Sequence, residues 1–229
     1  MNHHVVTLLA IMSLMTSGCL FGSDPNAQGT DSGSSGADAG GTTDADGQDG
    51  QDVDVDAEDD AEPDGLYIFF SFREFEVGGG IDGADELCDI DRNKPNAGKY
   101  RALIGSPMRH AGVPDCQQGQ PRDWVLNKNQ RYINSNGDLV FETNNLAVNF
   151  DWPMAHTVSD EGVNFASGIE RDWCFAEDLN CGEWTDDEGG EMRVGWAKDD
   201  TEGFMSGGKV SCGRKLRLMC VEQPRRQGL

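Results

Sequence analysis

The chain has 229 residues, of which 41 are Asp or Glu and 18 are Lys or Arg, so its formal net charge is −23 at pH 7. Such a surface repels phosphate backbones, whose neutralisation by Lys and Arg supplies most of the affinity for nucleic acids, and this excludes nucleic acid as a partner. The acidic residues are unevenly spread, because residues 22–64 hold 14 of them and no Lys or Arg. The composition therefore predicts an acidic segment followed by one globular domain.

The amino terminus carries an export signal. Residues 5–15 form an apolar run that is too short to span a membrane and is typical of a signal-peptide core. The run ends in Leu-Met-Thr-Ser-Gly-Cys19, which resembles the bacterial lipobox, where the Cys is lipidated and becomes the first mature residue. We predict a lipoprotein signal peptide over 1–18 and lipidation at Cys19; an ordinary secretory peptide is the alternative. Leu20, rather than Asp, after this Cys favours the outer membrane or cell surface within the cell envelope.

Residues 19–64 are predicted to be an acidic, disordered tether. From 22 to 64 the sequence contains no Leu, Ile, Met, Phe, Trp, Tyr or Cys, so little apolar surface could offset the entropy lost on folding. The alternating Asp residues of 44–56 superficially resemble a calcium loop, but the EF-hand spacing and its terminal Glu are absent. We interpret the segment as a solvated spacer between the membrane and the domain.

The folded domain is predicted to span 65–229 and to begin with the aromatic and β-branched run 66–71, which is typical of a buried strand. Ala84, Leu87 and Cys88 recur at helical spacing, which predicts a helix capped by Asp82 and ending near Asn93. Further short strands are predicted at 99–104, 124–126, 131–133 and 139–141, the last two joined by a hairpin turn at Asn136-Gly137. These elements indicate an α+β domain with one main helix near its start.

Six cysteines remain besides Cys19: Cys88, Cys116, Cys174, Cys181, Cys212 and Cys220. An even number in an exported chain predicts three disulfides, for which 15 pairings are possible. A zinc site is the alternative, but the sequence has no Cys-x-x-Cys pair and the domain keeps only two histidines, His110 and His156. We therefore predict neither a metal site nor a cofactor.

Several segments, taken in order, resemble one family. They are the strand 66–71, Gly83-Ala-Asp-Glu-Leu-Cys88, Gly98-Lys-Tyr-Arg-Ala-Leu-Ile104, Cys181-Gly-Glu-Trp-Thr185 and the ending Cys212–Gln223. The chain resembles an uncharacterised bacterial lipoprotein domain, the domain-of-unknown-function family 1554, of the endostatin/C-type-lectin-like superfamily. This resemblance implies a C-type-lectin-like fold with short antiparallel strands and long loops. It also implies disulfides Cys88–Cys220 and Cys181–Cys212, which leaves Cys116 with Cys174.

Sugar-binding members of the lectin fold hold calcium and sugar through a Glu-Pro-Asn or Gln-Pro-Asp loop. Here Trp152-Pro153-Met154 occupies that window, and neither Trp152 nor Met154 has a carboxylate or amide oxygen in its side chain. We therefore expect any ligand to bind without calcium. The acidic residues of 183–191 could hold a structural cation, although we favour a solvated loop.

Trp152 is our candidate ligand contact, because Asp151 and Pro153 place it in a loop and aromatic side chains often contact ligands. The other four tryptophans are interpreted as core. Catalysis is not expected, because the disulfides leave no reactive Cys and the histidines lack a nucleophile motif. The sequence thus predicts a lipid-anchored binding module that contacts an extracellular protein or glycan. An enzyme of the same fold and a purely structural envelope lipoprotein are the alternatives.

Overall fold

Eight strands and one main helix are found in residues 64–225, the part of the chain that this computed structural model describes. The predicted signal peptide, Cys19 and the tether up to residue 63 lie outside the described residues. The elements are β1 Leu66–Phe70, α1 Gly80–Ile90, β2 Tyr100–Ala102, β3 Arg131–Ile133, β4 Leu139–Glu142, β5 Asn164–Ala166, β6 Glu191–Trp196, β7 Gly208–Ser211 and β8 Arg217–Glu222. No helix within 64–225 is long and apolar enough to cross a membrane.

The strands form one sheet in the order β4-β3-β1-β8-β5-β6-β7. β8 lies at its centre, with β1 antiparallel along one edge and with β5 and β2 along the other. The predicted short antiparallel strands are present, but the sheet is mixed, because β1–β3 and β5–β8 pair in parallel. Long connections return the chain to the same end of the sheet before these strands, which is the condition for parallel pairing.

The central strands are buried on both faces. In β1, Ile68 and Phe70 belong to one apolar cluster and Phe69 belongs to the other. Side chains alternate between the two faces of a strand, so these clusters lie on opposite sides of the sheet. α1 covers one face through Ala84 and Cys88. Burial on both sides explains why β1 is apolar throughout rather than alternating.

The main helix differs from its prediction at both ends. It begins at Gly80 after the N-cap Gly79, rather than after Asp82, and no side chain caps it. It ends at Ile90 because Asp91 takes an extended conformation, with φ −69° and ψ 142°. The Asp91 carboxylate is buried and accepts hydrogen bonds from the backbone N–H groups of Phe72 and Asn93 at 3.0 and 2.8 Å. Bonding to these groups favours the turn over another helical residue.

Two predictions, the hairpin and the strand at 124–126, have different outcomes. The hairpin is confirmed, since β3 and β4 pair antiparallel around Asn136-Gly137, where Gly137 has φ +87°. The strand predicted at 124–126 is wrong, because this segment is irregular. Val125 and Leu126 are buried without strand pairing, and the half-buried Trp124 donates its Nε1 hydrogen to the Ala147 carbonyl at 2.8 Å. Asp123, with φ +45°, interrupts the extended backbone just before it.

Three disulfides join Cys88 to Cys220, Cys116 to Cys174 and Cys181 to Cys212, the same pairs that the family resemblance implies. The first fixes α1 to β8 across 132 residues of sequence. The third holds a single turn, 181–184, in which all four residues have φ between 52° and 69°. Left-handed backbone costs about 1–2 kcal/mol for each residue other than Gly. The disulfide and the fully buried Trp184 stabilise this turn against that cost.

Candidate functional site

A polar cavity of about 540 Å³ opens where the turn between β3 and β4 meets the loop 158–161. Six of its lining residues carry amide or charged side chains: Asn93, Asn134, Asn136, Asp160, Glu161 and Arg217. We call this cavity the asparagine pocket. These six residues come from the turn that follows α1, the hairpin turn, the long loop after β4 and the first residue of β8. The fold therefore brings together side chains that are widely separated in sequence.

Asn134 holds the hairpin side of the pocket in place. This residue is buried, and its Oδ1 accepts hydrogen bonds from the backbone N–H groups of Asn136 and Asp138 at 2.9 and 3.0 Å. Its Nδ2 donates to the Thr157 carbonyl at 3.4 Å, which connects the turn to the loop on the other side of the cavity. Both walls are therefore linked by one amide. Because the walls are already fixed, ordering them on ligand binding would cost little conformational entropy.

Other side chains of the asparagine pocket remain available. Asn136 and Asp160 are exposed, and within residues 64–225 their side chains have no hydrogen-bond or ion-pair partner. Asn93 donates its Nδ2 to the Phe70 carbonyl at 3.2 Å, while Glu161 and Arg217 form an ion pair. Amides supply donors and acceptors, and ionised carboxylates accept only. The pocket thus offers both kinds of partner to a ligand rich in hydroxyl groups.

The tryptophans are distributed differently from the expectation. Trp152 is half-buried and packs partly against the core, whereas Trp173 and Trp184 are buried. The interpretation of Trp196 as a core residue is wrong, because its side chain is 48% exposed at the end of β6. The indole lies against Gly207, where an added Cβ would approach the ring to 2.7 Å. Strand alternation does not predict the exposure of Trp196, because Met192 and Val194 lie on the same face of β6 and are buried.

The acidic residues of 183–191 do not converge on one point. Glu191 pairs with Lys209, and Asp186 accepts from the backbone N–H of Glu188 at 3.0 Å. Among the described residues, one group of His, Cys, Asp or Glu has its ligand atoms within 4.8 Å of one another, namely Cys116, Asp172 and Cys174. Its two sulfurs are bonded to each other, so they are not thiolate ligands. This geometry offers no candidate metal centre in the part of the chain described.

The histidines also lack a catalytic arrangement. His156 is exposed, and its Nδ1 lies 3.0 Å from the Leu139 carbonyl. His110 is buried, and its Nδ1 has no hydrogen-bond partner among the described residues. Burial and the neighbouring Arg122 lower the pKa of His110, so its imidazole is neutral at pH 7.

Sequence reasoning missed a cluster of four charges made by Asp85, Arg101, Arg109 and Asp123. Arg101 donates from Nε to Asp85 at 2.8 Å and from Nη2 to Asp123 at 2.6 Å. Burial acts to raise the pKa of Asp123, but hydrogen bonds from Arg101 and Arg109 outweigh it and lower that pKa. The cluster contains two cations and two anions that satisfy one another. We therefore assign it to stability rather than to ligand binding.

A comparison with protein families finds one matching model, described as a protein of unknown function (DUF1554), over residues 75–200. The matched range includes every amide and acidic residue named in the asparagine pocket, while Arg217 follows it in sequence. No curated protein matches the chain.

Proposed function

Because the chain belongs to the family of proteins of unknown function DUF1554, whose description names no activity, we propose its function from the geometry. The domain is a non-catalytic binding module that takes a glycan in the asparagine pocket. The observation that carries this proposal is a preformed 540 Å³ cavity with amide and carboxylate groups facing the same space. Sugars present closely spaced hydroxyl groups, which need donors and acceptors together. A protein ligand remains an outcome of the test.

We also propose that the fold is C-type-lectin-like. Two contacts support this: β1 pairs antiparallel with β8, at Ile68 and Val221, and Cys88 of α1 is bonded to Cys220 of β8. Together they join the beginning and the end of the domain, as in the fold that the resemblance implies. Much of the remaining chain is loops between short strands. Those loops carry the asparagine pocket, and binding residues are often found on loops held by a rigid scaffold.

The module is proposed to be held in the cell envelope, at the outer membrane or cell surface, by a lipid at Cys19. The apolar run of 5–15 and the Ser-Gly-Cys junction support this. Mass spectrometry of the mature amino terminus should give a diacylated or triacylated Cys19, and Cys19→Ser should release the chain into the soluble fraction. An unmodified terminus that begins at another residue would contradict the anchor.

Binding is proposed to be independent of calcium. Asn136 and Asp160 can contact hydroxyl groups directly, and the acidic residues of 183–191 are dispersed. Trp152, on the loop that leads to the pocket, is kept as a second contact through the part of its ring that the core leaves uncovered. A glycan that reaches this ring should bind more weakly to Trp152→Ala.

The test is a screen of the full chain on arrays of bacterial and host glycans, with and without EDTA. We expect at least one glycan to bind equally in both conditions and to be recovered with unchanged mass. The double variant Asn136→Ala/Asp160→Ala should lose that signal. The control Gln120→Ala/Asp187→Ala removes an amide and a carboxylate at other exposed positions and should keep it.

Several outcomes would overturn the proposal. Loss of binding in EDTA would indicate a cation site, and conversion of the glycan would indicate an enzyme. If no glycan binds but an array of extracellular proteins gives a specific partner, the ligand class is wrong. No binding on either array would favour a purely structural lipoprotein.

A further inference from the structure

The indole of Trp196, at the end of β6, has one covered face and one open face. A Cβ at Gly207 would lie 2.7, 2.8 and 2.8 Å from the Cγ, Cδ1 and Cδ2 atoms of this indole. All three atoms belong to the five-membered ring, and a point almost equidistant from them lies above the centre of that ring. Gly207 therefore lies flat against one face of the indole. Because the residue is still 48% exposed, the opposite face is open to solvent.

The backbone on both sides of β6 holds this indole in place. The Gly207 N–H donates to the Val194 carbonyl at 2.8 Å, which fixes the glycine beside the strand. On the other side, Asn164 of β5 is the direct cross-strand partner of Trp196. Directly opposed residues in antiparallel strands have Cβ atoms about 4.5–5.5 Å apart, so the Asn164 side chain lies beside the ring. We call Trp196, Gly207 and Asn164 the Trp196 platform.

The polar atoms of the Trp196 platform are available to a ligand. Within residues 64–225, neither the Asn164 amide nor the Trp196 Nε1 forms a hydrogen bond, and no aromatic ring or cation stacks on the open face. By contrast, the indole N–H groups of Trp124, Trp173 and Trp184 each donate to a backbone carbonyl. The platform thus combines a flat apolar face with an indole donor and with an amide that both donates and accepts.

The Trp196 platform lies at the same end of the sheet as the asparagine pocket. Arg217, which lines that pocket, is paired with Phe165 of β5, and the preceding residue, Asn164, is paired with Trp196 of β6. Neighbouring strands are about 4.8 Å apart, so two strand spacings, about 10 Å, separate the Cα atoms of Arg217 and Trp196. This separation exceeds the width of one sugar ring.

The chain from Glu161 to Asn164 connects the two sites. Glu161 lines the asparagine pocket, and Asn164 belongs to the platform. Between them, Val163 packs against the core and Gly162 has no side chain. A Cβ at Gly162 would meet Lys198 Cδ and Nζ at 3.5 and 3.8 Å, so this lysine lies along the connecting segment. Its ammonium forms no ion pair in the described part of the chain and is a further donor for hydroxyl groups.

A protein partner fits these surroundings less well than a sugar. Protein interfaces bury about 800 Å² on each partner and contain clusters of anchor residues. Four other large apolar side chains are exposed within 64–225, and none belongs to β5, β6, β7 or the segments that join them: Phe72, Ile90, Met108 and Phe150. A single open ring with polar neighbours is instead suited to one face of a sugar ring.

We infer that the Trp196 platform stacks on the apolar face of a pyranose ring, and that the platform and the asparagine pocket together bind an oligosaccharide rather than a single sugar. This inference rests on the proposed glycan-binding function. Pyranose rings with equatorial substituents present C–H groups on both faces, which pack on an indole, while their hydroxyl groups point outwards to groups such as the Asn164 amide. The β-1,4-linked oligosaccharides of glucose and N-acetylglucosamine belong to this class.

The test uses the full chain labelled with ¹⁵N and titrated with cellotriose and with triacetylchitotriose, with glucose and N-acetylglucosamine as single-ring references. At least one trisaccharide should shift the Trp196 indole N–H and the Asn136 and Asp160 amides with one dissociation constant. It should bind about fivefold or more tightly than its monosaccharide, and Trp196→Ala should remove that gain. Trp196→Phe, which keeps an aromatic ring, should lose less.

A glycine variant tests the platform without removing the indole. Gly207→Ala places a Cβ against the ring and displaces it, so trisaccharide binding should weaken by about fivefold or more. Gly208→Ala is the matched control, because its Cβ would meet Val194 Cγ2 at an ordinary 3.8 Å, and it should change the affinity by less than about twofold. Monosaccharide shifts at Asn136 should persist in each variant, which shows that the pocket is still folded.

The possible failures are distinguishable. Trisaccharide shifts at the asparagine pocket without the Trp196 indole, or equal affinities of Trp196→Ala and the parent protein, would overturn the platform and leave the pocket in place. Shifts at Trp196 alone would overturn the spanning oligosaccharide together with the pocket as the glycan site. No saturable shift with any of the four sugars would overturn the ligand class inferred here. Binding of an extracellular protein that Gly207→Ala abolishes, without any response to sugars, would show a protein interface instead.

Discussion

The guanidinium of Arg109 is fully buried and binds both carboxylate oxygens of Asp85, with Nη1–Oδ1 and Nη2–Oδ2 distances of 2.6 and 2.8 Å. The same pair is joined to β2, since Ala102 accepts from Arg109 Nη1 at 3.0 Å and donates its N–H to Asp85 at 3.0 Å. One ion pair therefore connects α1, the outer edge of β2 and the loop that carries Arg109. This edge is covered and cannot pair with another strand.

Replacing this arginine should destabilise the domain strongly. Arg109→Met leaves Asp85 without its main cation, and removal of one partner from a buried pair costs about 3–5 kcal/mol. Urea unfolding measures the change in free energy. Arg171→Met is the control, because Arg171 pairs with Glu202 at 3.6 Å on the exposed surface, where such pairs contribute at most about 1 kcal/mol. Equal losses in the two variants would contradict the account of the cluster.

Acid should weaken the same cluster through Asp123. Its pKa in the folded state lies below the ordinary value of 3.8, so its ionised form stabilises the fold above that pH. This stabilisation is lost as the pH falls through the folded pKa. Asp123→Asn, which suits the positive φ of this position, should remove that part of the pH dependence. Unfolding free energies at pH 7 and pH 3 should therefore differ less in the variant than in the parent protein.

If the unfolding free energy of Asp123→Asn changed with pH as much as that of the parent protein, the assignment of this pH dependence to Asp123 would be wrong. Asp187→Asn serves as the control, since the Asp187 carboxylate has no bonded cation in the described part of the chain. Its pH dependence should follow that of the parent.

Much of the framework could be predicted from the sequence, because it depends on local patterns. The run 66–71 indicates a buried strand, and Asn136-Gly137 indicates the hairpin turn. The cysteine pairs could be assigned from the resemblance because that fold places α1 beside its last strand. These features each involve either neighbours in sequence or a recognised motif.

The asparagine pocket could not be predicted, because no local pattern marks it. It depends on Asn134 donating to Thr157, a contact between a hairpin turn and a loop 23 residues away. The burial of Arg109 could not be predicted either, because arginine side chains are usually found on the surface. Trp152 is predicted as a contact because Asp151 and Pro153 place it in a loop, but exposure is decided by packing, and Trp196 is the more exposed indole.

Close packing between β5, β6 and the turn 202–204 makes Gly195 sensitive to substitution. A Cβ at this position would overlap the Phe204 carbonyl oxygen and the Phe165 ring, both buried. Gly195→Ala should lower the free energy of unfolding by about 3 kcal/mol or more, or prevent folding. The same change at Gly189, where an added Cβ meets nothing within 4 Å, should alter it by less than about 0.5 kcal/mol. Thermal unfolding of both variants provides the comparison, and similar melting temperatures would count against this packing.

The disulfides should be reduced in a defined order. Cys116 and Cys174 are half-buried, whereas both cysteines of each other pair are at most 3% exposed. Thiolate attack requires access to a sulfur, so dithiothreitol at low concentration should open Cys116–Cys174 first. Alkylation followed by peptide mapping identifies the freed thiols. Early labelling of Cys88 or Cys181 would disagree with the burial that we describe.

The proposal that the asparagine pocket is the ligand site is tested most directly by mapping bound glycan onto the ¹⁵N-labelled full chain. The glycan that binds most tightly on the array is added to saturation, and backbone amide shifts are recorded. The account predicts that the largest shifts occur at Asn136, Asp160 and Glu161, and that they disappear in Asn136→Ala/Asp160→Ala while the remaining spectrum is preserved. Saturable shifts confined to another surface, such as the surroundings of Trp196, would contradict it.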